Sequence, residues 1–403
     1  MSDIVVIGAG QAGSALVAKL RALGHMGKIT LIGEEATPPY QRPPLSKKYL
    51  LGEMDKERLY LRPETFYAEN NIDLRLSSTA VSIDRSDKKI VVDGNAISYD
   101  QLALTTGSIA RRLPPAIGGL LDGVHVVRTM ADVDAMEPEC VEGARVLIVG
   151  GGYIGLEAAA VCSKLGMKVT LVEMSERILQ RVAAPETSAY FRALHAAHDV
   201  DIHEGIGLDR LTGETRVDGA VLSDGTELAL DMVIVGIGIA PATELAESAG
   251  LVVENGIKVD AQGRTSDPVI WSAGDCAVFP YRGDMIRLES VQNAIDQAEC
   301  VAENMLGADK DYAPYPWFWS DQYDVKLQIA GLNSGYNNVV VRPGEREGSV
   351  SHWYYAGDTL LAVDAMNDPR AYMVGKRMIE AGKSPEAAAV ADPATNLMAL
   401  AKA

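Results

Sequence analysis

The hydrophobic pattern of this chain opens with a short, continuously apolar run at residues 4–7. Four consecutive β-branched residues are typical of a strand that is buried on both faces of a parallel sheet. A helical stretch at residues 12–23 follows this run, and Gly24 ends it. Another apolar strand is predicted at residues 29–32. The order strand, helix, strand predicts one βαβ unit.

The same pattern occurs again in the middle of the chain. A strand is predicted at residues 145–149, a helix at 156–165 with Gly166 as its end, and a further strand at 168–172. A βαβ pattern that is duplicated in this way predicts two similar α/β domains.

A glycine-rich turn joins the strand to the helix in both copies. The first turn reads Gly8-Ala9-Gly10-Gln11-Ala12-Gly13, and the second reads Gly150-Gly151-Gly152-Tyr153-Ile154-Gly155. In such a turn the first glycine permits the tight bend, the second lets the backbone approach a pyrophosphate, and the third lets the helix pack close to the strand. The anion then binds the N–H groups at the start of the helix. Two such turns predict two bound dinucleotides, and we expect a protein that holds both to move electrons between them.

An acidic residue follows the second strand of each copy. Glu34 is the preferred candidate in the first copy, with Glu35 as the alternative, and Glu173 occupies this position in the second. A carboxylate about 20 residues past the glycines accepts a hydrogen bond from a ribose 2′-hydroxyl and repels a 2′-phosphate. We therefore expect the second site to prefer NADH to NADPH, although the nearby Arg177 weakens this expectation slightly.

Three later segments each end a strand in small residues or glycine, which suits a crossing between nucleotide-binding units. These segments are 103–107, 233–238 and 269–275. Pro241 is a natural boundary shortly after the second of them. Their order predicts a first domain that is interrupted and then resumed, at residues 1–109 and 239–311, and an inserted domain at 110–238.

Residues 312–403 have a different pattern. Alternating strands, separated by glycine-containing turns, are predicted at 324–330, 339–342, 349–355 and 359–363. Trp317 and Trp319 are two residues apart and share one face of any strand there. The predicted fold class is therefore α/β, with two Rossmann-like dinucleotide-binding domains and a C-terminal α+β domain with an antiparallel sheet.

Composition narrows the setting in which such a protein works. The 403 residues carry a formal net charge of −18, which argues against nucleic acid and anionic membrane surfaces as partners. No apolar run approaches the roughly 18 residues that a spanning helix needs. The first strand begins at residue 4, which leaves no room for a signal peptide. We therefore expect a soluble cytoplasmic protein.

These motifs together resemble the pyridine-nucleotide-dependent flavoprotein reductases of the glutathione reductase type. Within that group the chain is most similar to the ferredoxin reductases that are coupled to oxygenases. The segments that carry the resemblance are Arg42-Pro43-Pro44-Leu45-Ser46-Lys47, Gly150 to Glu157, Thr265-Ser266-Asp267-Pro268, Gly274-Asp275-Cys276, Glu289-Ser290-Val291 and Trp317-Phe318-Trp319-Ser320-Asp321-Gln322. They extend over the whole chain.

The resemblance implies FAD on the first domain and NADH on the inserted domain. The residues that it implies for cofactor binding are Gly8, Gly10, Ala12, Gly13, Glu34, Arg42, Lys47, Val81, Thr106, Gly107, Arg128, Gly150, Gly152, Tyr153, Ile154, Gly155, Glu173, Gly236, Gly238, Gly274, Asp275 and Val291. No metal site is predicted.

Three further roles are implied at the reacting centre. Lys47 would lie near the isoalloxazine ring, Glu157 would pair with it, and Trp319 would approach the flavin from the C-terminal domain. A cation near the ring offsets the negative charge that reduced flavin carries near N1 and C2=O. The alternatives are a solvated lysine, a surface acid on the helix, and a pair of core tryptophans.

The four cysteines argue against other redox chemistry. They show no C-x-x-C spacing, so a structural zinc, an iron–sulfur cluster and a disulfide framework are not expected. None precedes Cys140, so residues 43–47 lack the thiol that flavoenzymes acting on disulfides place in this region. Cys276 lies either near the flavin pyrophosphate or in the core as a small buried residue.

The implied activity is that of an NADH-dependent ferredoxin reductase. A hydride passes from NADH to FAD, and electrons leave singly to a separate [2Fe-2S] ferredoxin that feeds a cytochrome P450 or another oxygenase. The alternatives are an NADH oxidase, a rubredoxin reductase-like flavoprotein, and a non-enzymatic flavoprotein in which bound nucleotides switch an interaction surface. Docking of an acidic ferredoxin would need a basic patch, for which the candidates are Arg42, Lys48, Lys56, Arg58, Arg62 and Arg287.

Overall fold

The computed structural model describes residues 2–402. The chain forms two compact units, of which the first contains the residues up to 41, 55–109 and 239–314. The second contains 42–54, 110–238 and the residues from 315 onward. The segment 42–54, which the sequence placed with the FAD-binding domain, lies in the second unit. The three predicted domain boundaries stay a prediction.

A five-stranded parallel sheet forms the centre of the first unit. All four residues of its first strand are buried, because apolar layers cover both faces of the sheet. In spatial order the strands are Ile270–Ser272, Gln101–Leu104, Ile4–Ile7, Ile29–Ile32 and Ile72–Arg75.

Smaller elements complete this unit. One antiparallel sheet contains Ala80–Asp84, Lys89–Val92 and Asn95–Ser98, and a second small sheet contains Ile257–Lys258, Ala277–Tyr281 and Asp284–Ile286. The helices are Gln11–Ala22, Thr65–Glu69, Glu244–Ser248 and Val291–Met305, with a 3-10 turn at Lys56–Leu59. Two short strands, Ser108–Ala110 and Ile239–Pro241, lie where the chain leaves and re-enters the unit.

The second unit contains a parallel sheet of the same kind. Its strands in spatial order are Asp201–Glu204, Lys168–Glu173, Arg145–Val149, Met232–Val235 and Val124–Val126. An antiparallel sheet contains Leu208–Thr212, Gly219–Leu222 and Glu227–Ala229. The helical segments that accompany these sheets are Leu45–Tyr49, Pro115–Ile117, Met130–Met136, Glu137–Glu139, Tyr153–Lys164 and Pro185–Ala196.

The helix after the second glycine turn begins earlier than the sequence predicted. It starts at Tyr153, with Gly152 as its N-cap, rather than at residue 156. Gly155 therefore lies in the first turn of the helix. Its role is close packing, since a Cβ there would lie 2.0 Å from the carbonyl oxygen of Gly150.

The C-terminal part of the second unit is a five-stranded antiparallel sheet followed by helices. The strands in spatial order are Trp317–Gln322, Val325–Gly331, Thr359–Met366, Val350–Ala356 and Asn338–Pro343. The helices are Pro369–Glu380, Ala387–Ala391 and Leu397–Lys402. The predicted antiparallel sheet with terminal helices is confirmed. No helix within residues 2–402 combines the length and the apolarity needed to cross a bilayer.

Candidate active site

The glycine turn of the first unit has the shape of an anion cradle. Gly8 has a φ of +112°, and a Cβ there would lie 2.1 Å from the carbonyl oxygen of Thr105. At Gly13 a Cβ would lie 2.0 Å from the oxygen of Gly8. At Gly10, the N-cap of the helix Gln11–Ala22, a Cβ would meet no described atom within 4 Å. The turn is closed towards the protein and open where a pyrophosphate would approach.

The turn of the second unit repeats this geometry. Gly150 has a φ of +110°, and a Cβ there would lie 2.4 Å from the carbonyl oxygen of Gly236. At Gly155 a Cβ would collide with the carbonyl oxygen of Gly150, whereas at Gly152 a Cβ would meet no described atom within 4 Å. Both turns therefore fit the pyrophosphate of a dinucleotide.

The two acids predicted to bind ribose have different surroundings. Glu34 is exposed at the end of the strand Ile29–Ile32, whereas Glu35 accepts a hydrogen bond from the Tyr40 hydroxyl at 2.5 Å. Glu34 therefore presents its carboxylate to solvent and Glu35 has a local structural contact.

Glu173 lies at the end of its strand and is bound to the glycine turn. Its carboxylate oxygens accept hydrogen bonds from the backbone N–H groups of Gly151 and Ser175, each at 2.7 Å. These bonds hold the carboxylate beside the turn. Arg177 donates to the Ser188 hydroxyl at 2.5 Å, so this cation has its own partner in the same region.

Other predicted cofactor residues of the first unit lie near the first turn or have local partners. A Cβ at Gly274 would lie 3.0 Å from that of Ala12, so the structure brings these two together. Asp275 accepts a hydrogen bond from the Ser108 hydroxyl at 2.9 Å. The Thr106 hydroxyl donates to the carbonyl oxygen of Ala242 at 2.6 Å.

The remaining predicted cofactor residues follow no single pattern. Val81 is 61 % exposed, and Val291 begins a helix that Ser290 caps. Gly107 and Gly238 have φ values of +69° and +94°.

Arg42 and Arg128, which the resemblance places at the flavin, are in contact with each other. The guanidinium of Arg42 donates to the carbonyl oxygen of Arg128 at 2.7 Å.

Lys47 and Glu157 form a buried ion pair. The Lys47 Nζ lies 2.6 Å from the Glu157 Oε2, and the two side chains are 17 % and 3 % exposed. The segment Leu45–Tyr49 is kinked at Lys47, whose φ and ψ of −138° and −112° are not helical. The Lys47 Nζ also donates to the carbonyl oxygen of Pro43 at 3.2 Å. The structure thus brings together the two residues that the resemblance pairs.

Two serines complete the surroundings of the Glu157 carboxylate. The Ser46 hydroxyl donates to Oε2 at 2.9 Å, and the Ser320 hydroxyl donates to Oε1 at 2.7 Å. A buried carboxylate is stable only when charged and polar donors replace the lost water. Neither serine was singled out from the sequence, because nothing local to either one indicates Glu157 as its partner.

Trp319 lies on the strand Trp317–Gln322 and is partly buried. Its ring centroid is 5.7 Å from that of Trp317, in a tilted arrangement. The Lys376 ammonium lies 5.3 Å from the Trp317 centroid. A role for Trp319 at the flavin stays a prediction.

Cys276 is a completely buried residue of the first unit. Its thiol lies 3.5 Å from the carbonyl oxygen of Ala273 and 3.6 Å from that of Leu104. These surroundings are those of a small core residue.

Comparison with known proteins covers nearly the whole chain. Residues 2–298 match the family model for pyridine nucleotide-disulphide oxidoreductases, and residues 317–401 match the model for the reductase C-terminal domain. The chain is 41 % identical to rhodocoxin reductase of Rhodococcus erythropolis over 97 % of its own length and 92 % of the relative. It is 42 % identical to a ferredoxin–NAD(P)+ reductase of Sphingomonas sp., over 94 % of this chain and 93 % of that protein.

A solved structure shows the same architecture. A chain of the covalent putidaredoxin reductase–putidaredoxin complex superposes with a TM-score of 0.95 at 38 % identity, over 100 % of this chain and 99 % of that one. The predicted fold class is confirmed.

Proposed function

Because the chain belongs to the pyridine nucleotide-disulphide oxidoreductase family, as its motifs predicted, we propose that it is an FAD-dependent NADH–ferredoxin reductase. Its physiological acceptor is a [2Fe-2S] ferredoxin, which supplies a cytochrome P450 or another oxygenase. The observation that carries this proposal is the presence of two complete nucleotide cradles in one chain. Each has an open glycine at the N-cap of its helix, Gly10 or Gly152, and an acid at or just after the end of the following strand.

The two cradles have separate tasks. In the first unit the turn of residues 8–13 binds the FAD pyrophosphate and Glu34 binds the adenosine ribose. In the second unit the turn of residues 150–155 and Glu173 bind NADH in the same way. When bound, flavin accepts two electrons as a hydride and can release them one at a time, which suits a ferredoxin acceptor.

The preference for NADH over NADPH rests on Glu173. Two backbone N–H groups hold its carboxylate next to the glycine turn, where a 2′-phosphate would meet a fixed negative charge. The cation that could offset this repulsion, Arg177, is hydrogen-bonded to Ser188. The fixed carboxylate of Glu173 supports selection of the free ribose 2′-hydroxyl.

The Lys47–Glu157 pair supplies a fixed cation to the hydride-accepting centre. The Glu157 carboxylate and the Pro43 carbonyl oxygen hold the ammonium of Lys47 in place. A cation that is already oriented costs no reorganisation when negative charge develops nearby.

The ferredoxin would dock on basic side chains. Of the six candidates, three already contact other groups of this chain: Arg42 binds the Arg128 carbonyl, Arg62 lies over the Phe66 ring, and Arg287 pairs with Glu289. The other three candidates, Lys48, Lys56 and Arg58, are exposed. We propose these three as the docking cations.

Anaerobic stopped-flow spectroscopy tests the proposal. NADH should bleach the flavin far faster than NADPH does, and Glu173→Ala should narrow that difference. A [2Fe-2S] ferredoxin should then reoxidise the reduced enzyme. Steady oxygen consumption without any carrier would instead favour an oxidase. Flavin reduction too slow to support ferredoxin turnover would favour a nucleotide-switched binding protein.

A further inference from the structure

We infer that Ser320, Gln322 and His195 are positioning residues, which hold the Glu157 carboxylate in the orientation that pairs with Lys47. The catalytic consequence of this array rests on the proposed function, whereas the array itself rests on geometry alone. Ser320 and Gln322 belong to the Trp-Phe-Trp-Ser-Asp-Gln motif, of which only the tryptophans had a proposed role.

The strand Trp317–Gln322 packs along the helix Tyr153–Lys164, which carries Glu157. Alternate residues of a strand share one face. On this face Phe318 contacts Tyr153 in a tilted arrangement, with ring centroids 5.1 Å apart, and the Ser320 hydroxyl lies 2.7 Å from Glu157. Two residues of a strand span about 6.6 Å, and the four residues from Tyr153 to Glu157 span about 6 Å of helix. Matching steps let successive strand residues meet successive helical turns.

The same face continues to a buried histidine. The Gln322 Nε2 lies 3.2 Å from the Ser320 hydroxyl, and the Gln322 Oε1 lies 2.8 Å from the His195 Nε2. The other ring nitrogen of His195 lies 3.3 Å from the Tyr323 hydroxyl. Ser320, Gln322 and His195 are each at most 1 % exposed. Bulk water therefore does not reach these groups and does not compete for their hydrogen bonds.

Donor and acceptor roles along this array are fixed by the carboxylate. The Ser320 hydroxyl donates its one proton to Glu157, so its oxygen accepts a hydrogen bond from the amide N–H of Gln322. The Gln322 oxygen must then accept from the Nε2 proton of His195. Burial lowers the pKa of His195 to about 4, so the ring is neutral near pH 7, and its Nδ1 accepts from Tyr323.

Every donor in the array therefore points towards Glu157. Hydrogen bonds aligned in one direction polarise one another and strengthen the last bond, which here ends on the carboxylate. The amide of Gln322 does not ionise and cannot pass a proton along. The array thus orients and stabilises Glu157, and it does not conduct protons.

The test compares two buried serines of the same sheet in the holoenzyme. Ser320→Ala should lower the rate of flavin reduction at saturating NADH about tenfold, the effect of one lost hydrogen bond to a charged group, and leave the Kd for NADH within about twofold. Ser351→Ala is the matched control, because Ser351 is 0 % exposed and accepts a bond from the Trp353 indole. Ser320→Thr, which restores the hydroxyl, should recover most of the rate.

A double-mutant cycle separates positioning from general damage. In a Glu157→Gln background, Ser320→Ala should change the rate less than about twofold, because the group that it positions is gone. The flavin midpoint potential should move in the same direction in Ser320→Ala and Glu157→Gln, and should not move in Ser351→Ala. If Ser320→Ala folds poorly, Gln322→Met tests the next bond, with an expected loss of about threefold.

Two results would overturn the inference. One is a tenfold loss on Ser320→Ala that persists in the Glu157→Gln background, and the other is an unchanged rate and potential in Ser320→Ala. Failure of the proposed function gives a different pattern. In that case NADH does not reduce the wild-type flavin, while the potential shifts of the variants still report on Glu157.

Discussion

Alanine substitutions at Gly152 and Gly155 should impair different properties, nucleotide binding and stability respectively, although both glycines lie in one turn. A Cβ at Gly155 would lie 2.0 Å from the Gly150 carbonyl oxygen, and a Cβ at Gly152 would meet no described atom within 4 Å. The obstacle at Gly155 is backbone and cannot rotate away. The space next to Gly152 is where the dinucleotide would lie.

The expected magnitudes follow from these contacts. Overpacking costs about 1–3 kcal/mol of stability. Because the obstacle is backbone, Gly155→Ala should lower the free energy of unfolding by about 3 kcal/mol and the Tm by about 10 °C. Gly152 has a φ of −80°, which alanine adopts readily, so its stability should change by less than about 0.5 kcal/mol. A methyl group at Gly152 should remove one or two bonds to the pyrophosphate, worth about 1.5–3 kcal/mol, and weaken nucleotide binding about ten- to hundredfold.

Two measurements on the oxidised enzyme check this pair of variants. Thermal unfolding without nucleotide should distinguish Gly155→Ala from the wild type, and calorimetric titration with NAD+ should distinguish Gly152→Ala. Gly10→Ala and Gly13→Ala form the matching pair for FAD in the first unit. A wild-type Kd for NAD+ in Gly152→Ala would place the pyrophosphate elsewhere, and a wild-type Tm in Gly155→Ala would refute the argument from close packing.

Three further outcomes are expected. Burial lowers the pKa of His195 and of His352 to about 4. As the pH falls, the unfolded chain therefore protonates these histidines before the folded protein does. Urea unfolding should show that the free energy of unfolding falls by on the order of 3 kcal/mol for each histidine between pH 6.5 and 4. Burial raises the pKa of Asp364 to about 6, so the folded protein binds a proton at this carboxyl before the unfolded chain does. This difference opposes the loss of stability below pH 6, and Asp364→Asn should make the loss steeper. Arg342 donates to four carbonyl oxygens of residues 390–395, so Arg342→Met should speed limited proteolysis there, and lysine should not substitute because it lacks the planar fork. Charge reversal at Lys48, Lys56 or Arg58 should weaken ferredoxin reduction and its salt dependence but leave NADH–ferricyanide activity intact, and equal loss in both assays would reject a docking role for these side chains.

Much of the fold could be predicted because buried parallel strands have a plain signature. The strands Ile4–Ile7 and Arg145–Val149 have the bounds that the sequence predicted, since β-branched runs that end at glycine leave little choice. The predicted start of the helix at residue 156 is wrong, because Gly155 lies in the first turn of the helix Tyr153–Lys164 and not in the loop before it. Glycine is a poor helix former, but here packing against Gly150 overrides that propensity.

The site was predicted less completely. The turns and their acids follow from local spacing, and the pairing of Lys47 with Glu157 came from resemblance. Ser320 and Gln322 belong to the motif at residues 317–322, but their partners Glu157 and His195 lie far away in the chain. The available signal was weak, namely polar residues at alternate positions in a strand. Periodicity shows that such residues share a face, and it does not show what that face contacts.

The path of the chain around Lys47 has a consequence for recombination between relatives. Residues 42–54 pack with the second unit although the chain on both sides of them belongs to the first. A chimera that exchanges only residues 110–238 would match Lys47 of one parent with Glu157 of the other. An exchange of nucleotide preference between relatives should therefore succeed more often when residues 42–54 and 317–322 are exchanged together with residues 110–238.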